Sequence, residues 1–187
     1  MDPNRTHWNV EYCNEDIKDV YHELFDEALK RYNDKQTRKD RKIDDYYEKI
    51  RSGKQEKLFH EVILQIWDKD NMGSETMEGQ LAAKILDEYM KGFQERNPTL
   101  RVFAAHLHLN EATPHLHIDF IPYVTGSKRG LDTRVSLKQA LSSLGFKGGS
   151  RSETELNQWV QSEKEKLAMV MRENEIEWDQ KGTHEPH

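Results

Sequence analysis

The chain has 187 residues, room for one domain with a real core and too little for two comfortable ones. Hydrophobic residues make up 35% and charged residues 33%, with a mean hydropathy of −0.99, yet four Trp, seven Tyr and six Phe exclude a disordered composition. A net charge of −6 argues against indiscriminate coating of nucleic acid, and a lone cysteine, Cys13, excludes an internal disulfide and a Cys-based zinc site.

Trp8 to Tyr12 alternates Trp8, Val10 and Tyr12 against Asn9 and Glu11, the pattern of a short strand. Asn14 offers an N-cap, and Ile17, Val20, Tyr21, Leu24, Phe25, Ala28, Leu29 and Tyr32 follow at helical spacing. Lys35 to Ile50 reads as a second, more exposed helix ended by Ser52-Gly53. Leu58 to Trp67, rich in β-branched and aromatic residues, reads as a buried strand. Ser74 can cap a helix with Leu81, Ala82, Ile85, Leu86, Tyr89, Met90 and Phe93 on one face, stopped at Asn97-Pro98. Two strands follow, Arg101 to Leu109 and His115 to Tyr123, and the five residues between them are of hairpin length.

Thr125 to Arg134 is a loop containing Gly and basic residues. Ser136 opens a short helix with a Ser-x-x-Gln capping box that ends at Gly145. After the link Lys147-Gly148-Gly149-Ser150, a second box, Ser152-Glu153-Thr154-Glu155, opens a long helix with Leu156, Trp159, Val160, Leu167 and Met171 on its face. The expected architecture is α+β, an antiparallel sheet covered by helices. Residues 1–187 read as one domain, with 152–187 as a C-terminal helix and polar tail. No apolar stretch is long enough to span a membrane, and Met1-Asp2-Pro3-Asn4-Arg5 does not open a secretory signal, so the expectation is a soluble, cytoplasmic protein.

Charge is unevenly spread. Lys30 to Lys57 holds eleven Lys/Arg against six Asp/Glu, and Val124 to Arg151 holds six against Asp132 alone. Two basic stretches inside an acidic chain fit a directed phosphate-binding surface, although solvated helix faces of mixed charge fit equally well. Ser152 to His187 carries four basic and nine acidic residues, so the last helix is expected to face away from any nucleic acid.

The chemistry gathers on the hairpin. Alternation along a strand puts His106 and His108 on one face, and His115 and His117 on one face of the return strand. His108, His115 and His117 can then converge near the hairpin mouth with Glu111 above them. Three imidazoles on a rigid sheet with open positions left over describe a catalytic metal site rather than a closed structural one. His106 sits one pair further from the turn and is expected to take no part. His7, His22 and His60 are isolated and read as ordinary, and His184 and His187 lie in a polar end and read as tail.

His108-Leu-Asn-Glu111-Ala-Thr113-Pro114-His115-Leu-His117 resembles the third motif, His-x-Asp-Glu-x-Thr-Pro-His-x-His, of the Mob/Pre (MobV-type) plasmid mobilisation and recombination relaxases, which are HUH endonucleases. Asn110 stands where that motif has Asp. Arg5-Thr6-His7-Trp8-Asn9-Val10, Lys54-Gln55-Glu56-Lys57-Leu58-Phe59-His60-Glu61, Gly126-Ser127-Lys128-Arg129-Gly130-Leu131 and Thr154-Glu155-Leu156-Asn157-Gln158-Trp159 are similar to other parts of the family's relaxase domain. The resemblance covers essentially the whole chain. It implies an enzyme that nicks and religates one strand of single-stranded or hairpin origin-of-transfer DNA. It also implies a divalent metal, Mn²⁺ or Mg²⁺, held by His108, His115 and His117, with Glu111 binding or orienting metal and water. Arg5, Lys128, Arg129, Arg134 and Lys147 are the candidate phosphate contacts.

The family's nucleophile is usually a histidine in a His-Asn-x-Arg motif upstream of the Arg-Thr element. Only four residues precede Arg5 here and none forms that motif, so the expectation is a core without its nucleophile segment. Tyr12, Tyr21, Tyr46 and Tyr47 are possible substitutes. Tyr12 reads as packed in a strand, Tyr21 as part of an apolar helix face and the Tyr46-Tyr47 pair as helix surface, so none is assigned. Two other readings stand beside the relaxase: a metal- and DNA-binding module that does not nick, and a zinc hydrolase using the same three histidines. A histidine-triad nucleotide hydrolase is set aside, because Asn110 and Asp119 occupy the places of its third alternating histidine.

Overall fold

Antiparallel strands β1 (Val10–Asn14), β3 (Leu100–His108), β4 (His115–Val124) and β2 (His60–Gln65) lie side by side in that order, and a short β5 (Arg134–Val135) is added to the far end of β4, making the sheet on which everything else is laid. The computed structural model describes residues 9–66, 77–109 and 113–174. The helices are α1 (Ile17–Asp34), α2 (Tyr46–Ser52), α3 (Met77–Lys91), α4 (Phe93–Arg96), α5 (Leu137–Ser143) and α6 (Glu155–Glu173), with a 3-10 turn at Lys39–Arg41. The α+β architecture expected from the sequence is the one observed.

Period-2 patterning decides which side of the sheet each helix covers. Leu116, Ile118 and Phe120 of β4 and Val102, Ala105 and Leu107 of β3 turn one face toward Ile85, Leu86 and Tyr89 of α3, Phe93 of α4 and Trp159 of α6. On the opposite face Phe103, Ala104 and Ile121 pack under Val20, Tyr21, Phe25 and Ala28 of α1 and Tyr46 of α2. That second cluster stops at Ala104 and Ile121. The hairpin end of the same face carries the histidines, and no described helix covers it.

A buried polar knot fixes α6 to the first face. Glu163, only 8% exposed, accepts from Tyr89 Oη at 2.5 Å, Arg96 Nη2 at 2.8 Å and Asn97 Nδ2 at 3.2 Å. Trp159 Nε1 donates to Asn97 Oδ1 at 2.9 Å. The acidic last helix therefore lies across the sheet from the histidines.

Several local expectations are corrected. Lys35 to Ile50 is not one helix. The Asn33 side chain donates to Ile43 O at 2.8 Å and accepts from Ile43 N at 2.9 Å, closing a turn, and Asp45 then caps α2 through Glu48 N. Asn and Asp side chains divert the backbone from helix in this way, and periodicity does not register it. Asp16, not Asn14, caps α1, accepting from Lys18 N and Asp19 N, while Asn14 stays in β1 opposite Ala104. The first strand runs Val10–Asn14, two residues later than its pattern. The helix expected to end at Asn97 is broken by Gly92 into α3 and α4, and its proposed cap, Ser74, lies outside the described residues. Thr154, not Ser152, caps α6 by accepting from Asn157 N, and Leu156 is exposed rather than buried. Ser136 caps α5 through Gln139 N, as its capping box predicts.

The segment Leu58 to Trp67 differs most in environment. Its core, β2, is an edge strand, not a buried one: Val62 and Leu64 pack inward while Glu61 and Ile63 face out, Ile63 at 49% exposure. Apolar content alone does not separate a half-covered edge strand from a central one.

Candidate metal centre

The β3–β4 register puts His108 opposite His115 and His106 opposite His117, so all four share one face. The ring centroids of His108, His115 and His117 form a nearly equilateral triangle: 5.2 Å for His108–His115, 4.9 Å for His108–His117 and 5.0 Å for His115–His117. Metal–nitrogen bonds of about 2.1 Å at tetrahedral angles place imidazole centroids roughly 5 Å apart. The rings are gathered at the right separation. As the side chains stand, no three described His, Cys, Asp or Glu groups close on one coordination point.

Two contacts orient these rings. His115 Nδ1 lies 3.0 Å from Thr113 O, and a carbonyl can only accept, so Nδ1 carries the hydrogen of that contact. His117 Nδ1 lies 3.4 Å from Glu61 Oε2, which asks for the same tautomer. His106 is occupied otherwise: its Nε2 pairs with Glu11 Oε2 at 3.2 Å, and its ring stands 6.2 Å from that of His108. The chemistry of the set, three imidazoles with carboxylates beside them, suits a divalent cation that takes nitrogen and oxygen ligands.

Glu61 and Asp119 are the functional candidates that sequence reasoning missed. They are register partners across β2 and β4, and Asp119 shares the face of His117 two residues away. Burial, and then the hydrogen bond and charge of Glu61, push the Asp119 carboxyl up to about 7. Asp119 Oδ1 is buried with no hydrogen-bond partner among the described residues. Period-2 counting from His117 finds Asp119. Nothing local finds Glu61, because its place depends on β2 pairing with β4.

Of the residues expected from the sequence, Glu111 and Arg5 lie outside the described residues. Lys128 and Arg129 are exposed in the loop after β4, and Arg134 Nε donates to Ser127 Oγ at 2.9 Å in the same loop. That loop is not beside the histidines. Ten residues of β4 separate the two, roughly 30 Å at about 3.3 Å per residue. Lys147 is placed elsewhere again: it lies in the link between α5 and α6, helices that pack on the other face of the sheet, and its Nζ donates to Ser142 O of α5. A position in a nearby loop of sequence does not make a position in a nearby loop of structure.

The tyrosines are committed to packing. Tyr12 Oη donates to Asp87 Oδ1 on α3, and Tyr21 Oη to Leu58 O. Tyr46 is buried, not a surface residue, and its hydroxyl accepts from Val135 N at 3.0 Å. Tyr47 sets its ring edge-on to Tyr21 at 5.3 Å. Among the other histidines, His22 Nδ1 pairs with Asp26 on the α1 surface, and burial lowers the pKa of His60, which stacks on Phe120.

No helix among the described residues is long and apolar enough to cross a membrane. Among curated proteins, none matches the chain significantly. Two Mn-bound crystal structures of the MobM relaxase domain (MOBV; Mob_Pre) with a 22-nucleotide plasmid pMV158 oriT DNA, at pH 5.5 and pH 4.6, share its fold, each with a TM-score of 0.50. They are 22% and 21% identical to this chain and cover 100% and 99% of it, with 80% of each relaxase chain aligned. The family model for the plasmid recombination enzymes, Mob_Pre, matches residues 2–169. The chain belongs to the Mob_Pre family of plasmid recombination enzymes.

Proposed function

We propose that this chain is the relaxase core of a plasmid mobilisation or recombination enzyme, acting as one domain on single-stranded or hairpin origin DNA with Mn²⁺ or Mg²⁺ at His108, His115 and His117. The observation that carries the reading is the triangle of imidazole rings on one hairpin face. A divalent cation there would neutralise charge on a scissile phosphate and polarise it for in-line attack. Thr113 O and Glu61 stand at Nδ1 of His115 and His117, contacts that would orient the two rings if they held the cation through Nε2. The Glu61–Asp119 pair would supply negative charge beside it, and Glu111 would orient the cation or a water. Transfer of the strand end to a histidine or tyrosine of the enzyme would retain the phosphoester energy for religation.

A second reading has its own support. Every tyrosine hydroxyl weighed as a nucleophile and given a partner in the structure serves packing: Tyr12, Tyr21 and Tyr46. In that reading this chain binds metal and DNA without forming a covalent adduct. A denaturing gel with labelled origin oligonucleotide and Mn²⁺ separates the two. A shifted protein–DNA band supports the nicking core, and its absence with DNA binding intact supports the binding module. Loss of both DNA binding and Mn²⁺ binding in the parent protein would contradict both readings.

A further inference from the structure

Alternation along β2 sends Val62 and Leu64 into the first cluster and stacks His60 on Phe120, and so turns Glu61, Ile63 and Gln65 to the histidine face. Phe59, one residue before the strand, keeps the same parity and sets its ring edge-on to Phe103 of the second cluster, at 5.4 Å between centroids. Outward positions on an edge strand ordinarily carry polar side chains. Here two of the four are large and apolar: Ile63 is 49% exposed and Phe59 39%. Phe59 is the one exposed Phe, Tyr or Trp among the described residues. Scattered singly, such residues would mean little. These two flank Glu61 on the open floor beside the three imidazoles.

Placement and charge decide what can cover them. Ile63 is the register partner of His117 and so stands beside the site. Phe59 lies further along the chain from the histidines, about 13 Å from Ile63 at about 3.3 Å per residue. Glu61, between the two, carries negative charge and opposes a phosphate laid along the strip. A base is flat, uncharged and partly apolar, and meets no such opposition. The Phe59 ring is also held in place. The Leu58 carbonyl before it accepts from Tyr21 Oη at 2.5 Å, the pairing of His60 with Phe120 follows it, and buried Phe103 backs it. A ring fixed in this way gives up little freedom when a base settles on it.

We infer that Phe59 and Ile63 form a platform on which unpaired bases of a DNA single strand stack, next to the phosphate that reaches the histidines. Resting on the relaxase reading, this gives the two parts of the strand separate partners: phosphate to the cation, bases to the apolar side of β2. Stacking on an aromatic ring accepts every base, because each has a π-face, so the platform supplies affinity and a path of approach rather than sequence choice.

The test compares the parent protein with Phe59→Leu, Phe59→Trp and Ile63→Ser in the presence of Mn²⁺, by fluorescence anisotropy over a salt series. The probes are a short oligothymidylate and an abasic strand with the same number of phosphates. Phe59→Leu keeps apolar bulk against Phe103 and removes the flat ring, whereas Phe59→Trp keeps one. Phe59→Leu should weaken oligothymidylate binding about tenfold with an unchanged salt slope, because no phosphate contact is lost, and Ile63→Ser should weaken it less. Phe59→Trp should bind at least as well as the parent. Affinity for the abasic strand and for Mn²⁺ should stay at the parent value in all three. Parent-like oligothymidylate binding by Phe59→Leu, an equal loss on the abasic strand, or a loss shared by Phe59→Trp would overturn the inference and leave the relaxase reading standing. A change of oligomeric state in Phe59→Leu or Ile63→Ser, with DNA binding unaltered, would overturn it in favour of a second copy of the chain on this strip. A parent that binds neither strand would end the relaxase reading and this inference with it.

Discussion

Glu61 Oε2 stands 3.4 Å from Nδ1 of His117, reached from the neighbouring strand rather than from the hairpin itself. A carboxylate behind a ligating imidazole fixes its tautomer and ring orientation and raises its basicity. Glu61→Gln should therefore weaken Mn²⁺ binding about tenfold without unfolding the protein. Calorimetric titration reads it directly, and an affinity equal to that of the parent would remove Glu61 from the site.

Neutralising Lys128 and Arg129 together should weaken binding to hairpin DNA and reduce the slope of log affinity against log salt by about two at most. Both are exposed and far from the histidines, so Mn²⁺ affinity should stay at the parent value. Parent-like affinity and slope would mean that the loop does not touch the backbone.

Glu163→Ala removes the acceptor shared by Tyr89, Arg96 and Asn97 and leaves the Arg96 guanidinium, 23% exposed at the side chain, without its partner. Breaking such a pair from one side costs about 3 kcal/mol. Chemical denaturation should report that loss. A change under about 1 kcal/mol would show that the knot does not hold α6 in place.

Tyr46→Phe tests the buried hydroxyl. It strands the Val135 N–H, a loss of about 1 kcal/mol that lowers the thermal midpoint by roughly 3 °C. Any covalent adduct with origin DNA should form as well as in the parent. Loss of an adduct with the midpoint unchanged would make Tyr46 the nucleophile.

What the sequence reveals follows the range of the interactions involved. His108, His115 and His117 are legible because alternation and hairpin length are local rules, and together they place three rings on one face. Glu61 is not, since its approach to His117 needs β2 paired with β4 across 56 positions. The adjacency of the two basic stretches depends on Arg31 finding Asp132. The turn after α1 depends on one side chain, Asn33, bonding both backbone groups of Ile43. The edge position of β2 escapes for a related reason: hydrophobic content reports that a strand is covered, not on how many sides.

The central claim is that His108, His115 and His117 hold a divalent cation and His106 does not. Calorimetric titration of Mn²⁺ into the parent, His115→Ala, His117→Ala and His106→Ala proteins tests it most directly. All four should keep the parent fold by circular dichroism, since these side chains lie on the open face and not in the core. The account predicts that His115→Ala and His117→Ala abolish binding, while His106→Ala, whose ring is engaged with Glu11, weakens it far less. Unchanged Mn²⁺ affinity in both His115→Ala and His117→Ala would contradict it.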